Sequence, residues 1–386
     1  MTSFDFRTTP AIASGPGKTA ALGAQFRALG ATRIALVSDP GVIGAGLASE
    51  AEAAIHSAGL GVFRWQDVKA DPPEADILAA TAAARAEGCD AVLGLGGGSP
   101  MDTAKLVALL LGTDQPLAEA YGVGNARGRR VPLILVPTTA GTGSEVTPIA
   151  IVTTGENEKK GVVAPQLLPD AAVLDATLTT GLPAPVTAAT GIDAMVHAIE
   201  AYTSRYRKNP LSDVLAREAL ALLGANIRQA VAVPGDVDAR GAMLLGACLA
   251  GMAFANAPVA AVHALAYPLG GHFKVPHGLS NAMVLPHVLA FNRAEPTAEA
   301  AYAELAPVVF PSLGGHDTGL RVDAFIEELA ALGPELGLDV TLASAGVSHN
   351  HLPMLAEHAM KQQRLLVNNP REMTAEAALE IYTRAL

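Results

Sequence analysis

Cysteine is nearly absent from this 386-residue chain. Cys89 and Cys248 lie far apart in apolar surroundings, which excludes a disulfide framework and reads as two reduced core thiols of a cytoplasmic protein. Charge is scarce as well: Asp, Glu, Lys and Arg make up 16% of the residues, and acid outweighs base to a net charge of -11. That balance disfavours nucleic acid or an anionic membrane as partner and leaves a small molecule as the natural one. Aromatic residues are only 4%. The segment Met1 to Arg7 lacks a basic stretch followed by an apolar core and a cleavage site, so no signal peptide is expected. The most hydrophobic stretch, Ala239 to Ala266, is interrupted by Asn256, Pro258 and His263 and reads as buried helices rather than a membrane span.

What is present is apolar: 50% of the residues are hydrophobic, with abundant Ala and Leu that favour helices. The length exceeds what one hydrophobic core usually serves, so two domains are expected. In the first half, short aliphatic runs alternate with amphipathic stretches, the pattern of a parallel sheet covered by helices. Strands are expected at Ile34 to Val37, Gly61 to Trp65, Ala91 to Leu95, Pro132 to Val136, Ile149 to Thr153 and Ala172 to Leu174. The intervening helices fall at Gly46 to Ala58, Glu74 to Glu87 and Pro100 to Leu111. After Leu182-Pro183-Ala184-Pro185 strand signals stop and helical periodicity runs to Leu386. The boundary places an α/β domain at 1–183 and an all-helical domain at 184–386.

Four side chains in the second half have metal-ligand chemistry. Asp193 and His197 are four apart, so a helix presents both on one face. His263 and His277 follow, separated by Pro268, Gly270, Gly271 and Pro276, which points to two helices joined by a bend. Three imidazoles with one carboxylate suit Fe(II) or Zn(II) better than Mg or Ca, which want more oxygen. The plain alternative for Asp193 and His197 alone is a hydrogen-bonded helical pair.

Two loops in the first half could hold a nucleotide. The segment Gly94 to Lys105, containing Gly96, Gly97, Gly98, Ser99 and Pro100, follows a strand and opens a helix, so its backbone can approach a pyrophosphate closely. A tight strand-to-helix turn binding nothing is the alternative. The second loop, Pro137 to Glu145, also follows a strand and offers hydroxyls. Asp39 ends the strand Ile34 to Val37 at the carboxyl edge of the sheet. There it can meet ribose hydroxyls and would repel a 2′-phosphate, favouring NAD over NADP; an Asp-Pro turn is the other reading.

Taken in order, Gly96 to Lys105, Pro137 to Glu145, Gly191 to Glu200, His263 to Gly270 and Pro276 to Gly278 resemble the motifs of the iron-containing (group III) alcohol dehydrogenases, over nearly the full length. The resemblance implies a dehydroquinate synthase-like architecture: an NAD-binding α/β domain, a metal-binding catalytic helical domain, and a cleft between them. It implies that Asp193, His197, His263 and His277 bind Fe(II) or Zn(II). It puts Gly97, Gly98 and Ser99 on the pyrophosphate, Thr138, Thr139 and Thr142 near the cofactor, Asp39 at the adenosine ribose and Lys160 near the nicotinamide ribose. Ile151 and Leu178 fall at positions lining the nucleotide site. The implied activity is NAD(H)-linked oxidation of a small alcohol or reduction of an aldehyde, in a cytoplasmic homodimer.

Some positions depart from the family pattern. Tyr267 stands where many members carry a proton-relaying histidine, and a phenol with a reference pKa of ~10 is a poorer base at neutral pH. Asp71 replaces a common Asn on the adenine side. Ile149 stands where lactaldehyde reductases present a polar residue, and with Phe254 it points to a small, fairly apolar substrate. His272 is a further acid–base candidate beside His277, while His349, His351 and His358 read as solvent-facing. Two other readings of the same residues are an NAD-using lyase or cyclase of the dehydroquinate synthase type, and a nucleotide- or metal-binding protein without turnover.

Overall fold

The computed structural model describes residues 3–155, 158–315 and 317–386; Met1 and Thr2, at the start of the segment scanned for a signal sequence, lie outside them. The chain forms two compact units, one from Thr8 to Gly181 and one from Leu182 to Leu386 together with the first residues up to Arg7.

The first unit carries strands β1 (Ile12–Ser14), β2 (Arg33–Val37), β3 (Gly61–Trp65), β4 (Ala91–Gly96), β5 (Gly122–Val123), β6 (Leu133–Pro137), β7 (Ile149–Thr154), β8 (Glu158–Val163) and β9 (Ala171–Leu174). Between them run helices α1 (Leu22–Ala28), α2 (Pro40–Gly44), α3 (Ala48–Ser57), α4 (Glu74–Ala86), α5 (Gly98–Gly112) and α6 (Leu117–Ala120). Six strands form one sheet in the order β1-β9-β6-β4-β2-β3, and every pairing in it is parallel. Parallel strands are covered by helices on both faces, so their sequences read as unbroken apolar runs: every residue of β4 and β6 is buried. The expected strands are present with ends shifted by a residue or so. However, Ile149 to Thr153 does not join the parallel sheet. As β7 it pairs antiparallel with β8 in a separate ribbon, to whose other side β5 adds. From β2 the chain steps outward to β3 and then returns to the other side of β2 as β4. The carboxyl ends of β2 and β4 therefore flank a topological switch point, where open α/β sheets bind ligands.

The second unit is helical: α7 (Ala184–Thr203), α8 (Pro210–Ala232), α9 (Val237–Asn256), α10 (Ala261–Phe273), α11 (His277–Asn292), α12 (Pro296–Val309), α13 (Thr318–Glu335), α14 (Leu352–Met360), α15 (Gln363–Leu366) and α16 (Ala375–Ala385). Nearly every residue of α7 from Thr187 to Thr203 is buried, because α8, α9 and α11 pack around it. Asn209 caps α8 through Ser212 N–H with Pro210 in its first turn, and Asp236 caps α9 through Ala239 N–H. Among the described residues α9 alone is long and apolar enough to cross a membrane. It packs along α7 and α8, and its buried Arg240 donates to Thr187 Oγ1 of α7 at 2.6 Å.

The break between His263 and His277 falls later than the proline and glycines at 268–271 predict. Helix α10 runs through Pro268, Gly270 and Gly271 to Phe273, and the chain turns at Lys274, in the left-handed region at φ 58°. The Tyr382 hydroxyl donates to Leu265 O at 2.6 Å, giving a carbonyl beside the proline a partner from outside the helix.

Helix α11 begins against α7 so closely that Gly278 has no room for a side chain. A Cβ there would lie 2.8 Å from the carbonyl carbon of Ala189 and 3.3 Å from Asp193 Cβ. Gly278→Ala must push α11 away from α7, and we expect a loss of roughly 1–3 kcal/mol in denaturant unfolding. Unchanged stability would mean that the two helices are free to separate.

Candidate functional site

On α7, Asp193, His197 and Glu200 occupy one stripe at i, i+4 and i+7, and all three are buried. His263 enters from the first turn of α10, and His277 is the first residue of α11. Ligand atoms of Asp193, His197, His263 and His277 all lie within 4.8 Å of one another. The Nε2 atoms of His197, His263 and His277 are 4.0, 3.9 and 3.6 Å from Asp193 Oδ1. His277 is the exposed member, its side chain 44% accessible, which leaves one side of the group open to an incoming molecule.

Asn281, one turn beyond His277, tests whether such a donor set suits a cation. Its amide Nδ2 lies 2.6 Å from Asp193 Oδ1, 3.3 Å from His263 Nε2 and 3.4 Å from His277 Nε2. One carboxylate oxygen and two imidazole nitrogens thus surround a single small NH2 group, a donor set of the N and O types that a divalent ion such as Fe(II) or Zn(II) takes. Burial alone would push the Asp193 carboxyl up. The imidazoles of His197, His277 and His263 and the Asn281 amide outweigh it and hold the group below its ordinary value. Phe254 stacks on His197 with ring centroids 4.3 Å apart and is only partly buried.

Other expected residues separate into near and far. Tyr267 lies one turn beyond His263 on α10, its ring centroid 6.0 Å from that of His277. Burial pushes its phenol up, against the pull of the Arg364 guanidinium, so at neutral pH it carries its proton. His272 does not join the group. Nine residues beyond His263 is about two and a half turns, which puts it on the opposite face of α10, roughly 13 Å further along. There its Nε2 meets His358 Nδ1 at 2.6 Å in an exposed pair. His351 instead bonds the Ser348 N–H through Nδ1, and His349 is exposed.

In the α/β unit, the switch point gathers most of the nucleotide candidates. Asp39 caps α2, accepting from Val42 N–H through Oδ1, while a side chain at Gly96 would come within 3.4 Å of Asp39 Oδ2. Gly97 and Gly98 open α5, and a Cβ at Gly98 would meet Thr142 Cγ2 at 2.9 Å, so the two loops touch through the missing side chain. Thr139 borders Gly97, and the Thr138 N–H donates to Gly96 O at 3.0 Å. Ser99 Oγ accepts from the Asp71 N–H at 3.2 Å. Asp71 itself is left-handed at φ 54°, a conformation that Asn and Asp tolerate best, which accounts for the residue type there.

Two of the expected residues point elsewhere. Leu178 is 4% exposed and packs in the core with Val136 and Val173, so its side chain offers no ligand surface. Lys160 is opposite Val152 in the antiparallel ribbon, and paired residues project to one face. Its face is therefore that of buried Ala150 and Val152, away from half-exposed Ile149 and Ile151; its ammonium lies near Glu158 and over the Tyr121 ring. Lys159 holds the other face, pairing with Asp71 at 2.5 Å and donating to Thr153 Oγ1 at 3.0 Å.

Sequence reasoning missed four buried polar residues. Glu200 and Asn281 were readable as the next helical step after His197 and His277. Lys105, fully buried, donates to Ser144 Oγ at 2.7 Å, Thr147 Oγ1 at 3.1 Å and Ile149 O at 2.7 Å, while Asp102 accepts from Ser144 Oγ and from Ile151 N–H. This network ties α5, the loop after β6 and strand β7 together. Glu145 beside it is buried, and its Oε2 has no hydrogen-bond partner among the described residues.

Comparison with known proteins gives the class. One family model, iron-containing alcohol dehydrogenase, matches residues 9–176, and a second, the C-terminal part of the Fe-containing alcohol dehydrogenase family, matches residues 187–386. The chain is 40% identical to long-chain-alcohol dehydrogenase 1 of Geobacillus thermodenitrificans over 368 residues, covering 94% of this chain and 91% of the relative. It is 32% identical to the NAD-dependent methanol dehydrogenase of Bacillus methanolicus, covering 99% and 100%. A crystal structure of 1,3-propanediol oxidoreductase matches it over 100% of both chains with a TM-score of 0.96 and 33% identity. This chain belongs to the iron-containing alcohol dehydrogenase family. It is an alcohol dehydrogenase of that family, and neither the dehydroquinate synthase-type reading nor the binding-only reading is favoured.

Burial pushes the Glu145 carboxyl up to about 7, against the pull of Lys105. Its folded value thus exceeds its unfolded one, and the folded state loses stability as pH rises from the ordinary carboxyl range through about 7. Glu145→Gln should therefore melt higher than the parent at about pH 8, and the two should converge toward about pH 5. Parallel melting curves at both pH values would show that the carboxyl is not the penalised group.

Proposed function

We propose that the protein interconverts a small, fairly apolar alcohol and its aldehyde with NAD(H), using Fe(II) or Zn(II) held by Asp193, His197, His263 and His277. The observation that carries this reading is the convergence of those four donors to within 4.8 Å. When bound, the ion supplies Lewis acidity toward the substrate oxygen and the nicotinamide gives or takes the hydride.

The chain's own residues do the rest. Asp193 brings one negative charge to the site, and three neutral imidazoles leave the other positive charge of a divalent ion uncompensated. Phe254, stacked on His197, is the apolar wall of the substrate site. Tyr267, with its phenol pushed up by burial, stays protonated beside His277, and proton transfer does not pass through it.

For the cofactor, the N–H groups at Gly97, Gly98 and Ser99, where α5 begins, suit the pyrophosphate. Thr138, Thr139 and Thr142 border that loop with hydroxyls, Asp39 and Asp71 serve the adenosine side, and Ile151 lines the site. Asp39, through its free oxygen, favours NAD over NADP. Lys159, on the face of Ile149 and Ile151, takes the part first expected of Lys160. On this reading the α/β unit is the NAD-binding domain and the helical unit the catalytic one, in a cytoplasmic homodimer.

The test is NADH oxidation with short aldehydes, using protein purified without oxygen, stripped by chelator and reloaded with Fe(II) or Zn(II), with NADPH in parallel. Turnover should return with metal and favour NADH. No turnover in any loaded sample would end the reading. His263→Ala should lower metal content and cut kcat/KM by roughly 100-fold or more; full metal content with full turnover would remove His263 from the site. Tyr267→Phe should keep kcat/KM within about threefold, with the same profile between about pH 6 and 9. Loss of one limb of that profile would make the phenol a titrating catalyst.

A further inference from the structure

Glu200 is buried on α7, and its two oxygens have separate partners. Oε1 accepts the backbone N–H of Val262 at 2.7 Å, and Oε2 lies 2.6 Å from His263 Nδ1. Val262 is in the first turn of α10, where backbone N–H groups have no partner within the helix, so the carboxylate satisfies a helix end and an imidazole at once. A carboxylate only accepts hydrogen bonds. The proton of His263 is therefore on Nδ1, and its Nε2 presents a lone pair.

The opposite edge of the ring agrees with this answer. Asp193 Oδ1 accepts from Asn281 Nδ2 at 2.6 Å, which fixes that amide, since turning it would set its oxygen against the carboxylate. The same Nδ2 is 3.3 Å from His263 Nε2, a placement that suits a lone pair on that nitrogen. We propose that Glu200 is a positioning residue: by fixing the His263 tautomer it aims the Nε2 lone pair at Asp193, and so sets the affinity of the four-donor group for a divalent ion. This rests on the reading that those donors hold a metal.

The variant that separates this role from simple packing is Glu200→Gln, which is nearly isosteric. The Val262 N–H still demands an oxygen, so the glutamine must turn its NH2 toward His263. Nδ1 then becomes the acceptor and the proton moves to Nε2, where it blocks the lone pair.

The experiment has two arms. Nitrogen-15 NMR of histidine-labelled, metal-free parent protein, with His263 assigned by its loss in His263→Ala, should report an Nδ1–H tautomer for His263. In Glu200→Gln, competition with a chelator should report Zn(II) and Fe(II) affinity lowered ~10–100-fold, with NADH binding by fluorescence unchanged. An Nε2–H tautomer in the parent, or parental metal affinity in Glu200→Gln, overturns the proposal. Should Glu200→Gln fail to fold, Glu200→Asp is read instead. Its shorter arm keeps the charge but cannot reach both partners, and parental affinity there overturns the proposal equally. An Nδ1–H tautomer in a parent that binds neither ion supports the tautomer assignment and refutes the metal reading, so the two failures are distinct.

Discussion

Several nitrogen and oxygen lone pairs face one another in the buried middle of α7, and the helical unit is arranged around that demand. A carboxylate removed from water is costly unless charge or hydrogen bonds replace what water gave it. For Asp193 the replacement comes from the Asn281 amide and the surrounding imidazoles. For Glu200 it comes from a helix N-terminus and a ring nitrogen. Apart from His197, these partners ride on α10 and α11, so the directions in which those two helices enter are fixed by polar atoms as well as by packing. The glycine that starts α11 against Ala189 belongs to the same requirement, because only a bare backbone brings His277 and Asn281 to α7 at that distance.

The α/β unit meets a related demand with the sign reversed. The Lys105 ammonium is fully buried, and burial lowers its pKa while Asp102 and Glu145 partly restore it. Its donors reach Ser144, Thr147 and the main-chain oxygen of Ile149, one short segment 39 to 44 residues further along the chain. A hydroxyl-rich loop beside a glycine turn is thereby fastened at one end to α5, while the part carrying Thr138, Thr139 and Thr142 borders the switch point.

Much of this was legible in the sequence wherever a period or a motif carried it. Unbroken apolar runs announced buried parallel strands, and the spacing of Asp193 and His197 announced a shared helical face. What escaped was governed by contacts that no local pattern encodes. Lys159 and Lys160 differ by one residue, and on a strand one residue exchanges the two faces, so alignment alone could not choose between them. His272 looked close to His263 in sequence, but helical rotation carried it to the far face. Leu178 fell at a position that the family resemblance puts in the nucleotide site, yet its side chain packs in the core. Glu200 was printed at the end of a recognised motif, and its purpose became visible only when α10 arrived from sixty-two residues away to meet it.

The Asn256 side chain clasps the chain near its start: Oδ1 accepts from the Arg7 N–H and Nδ2 donates to Arg7 O, each at 2.8 Å, across 249 residues of sequence. During synthesis the amino-terminal end emerges first, but its partner at the end of α9 follows only after the whole α/β unit has been made. For that interval the segment before Thr8 has no seat. The helical unit therefore closes around residues that have waited longest, and the timing of translation, not only the energy of contacts, becomes part of how this protein is assembled.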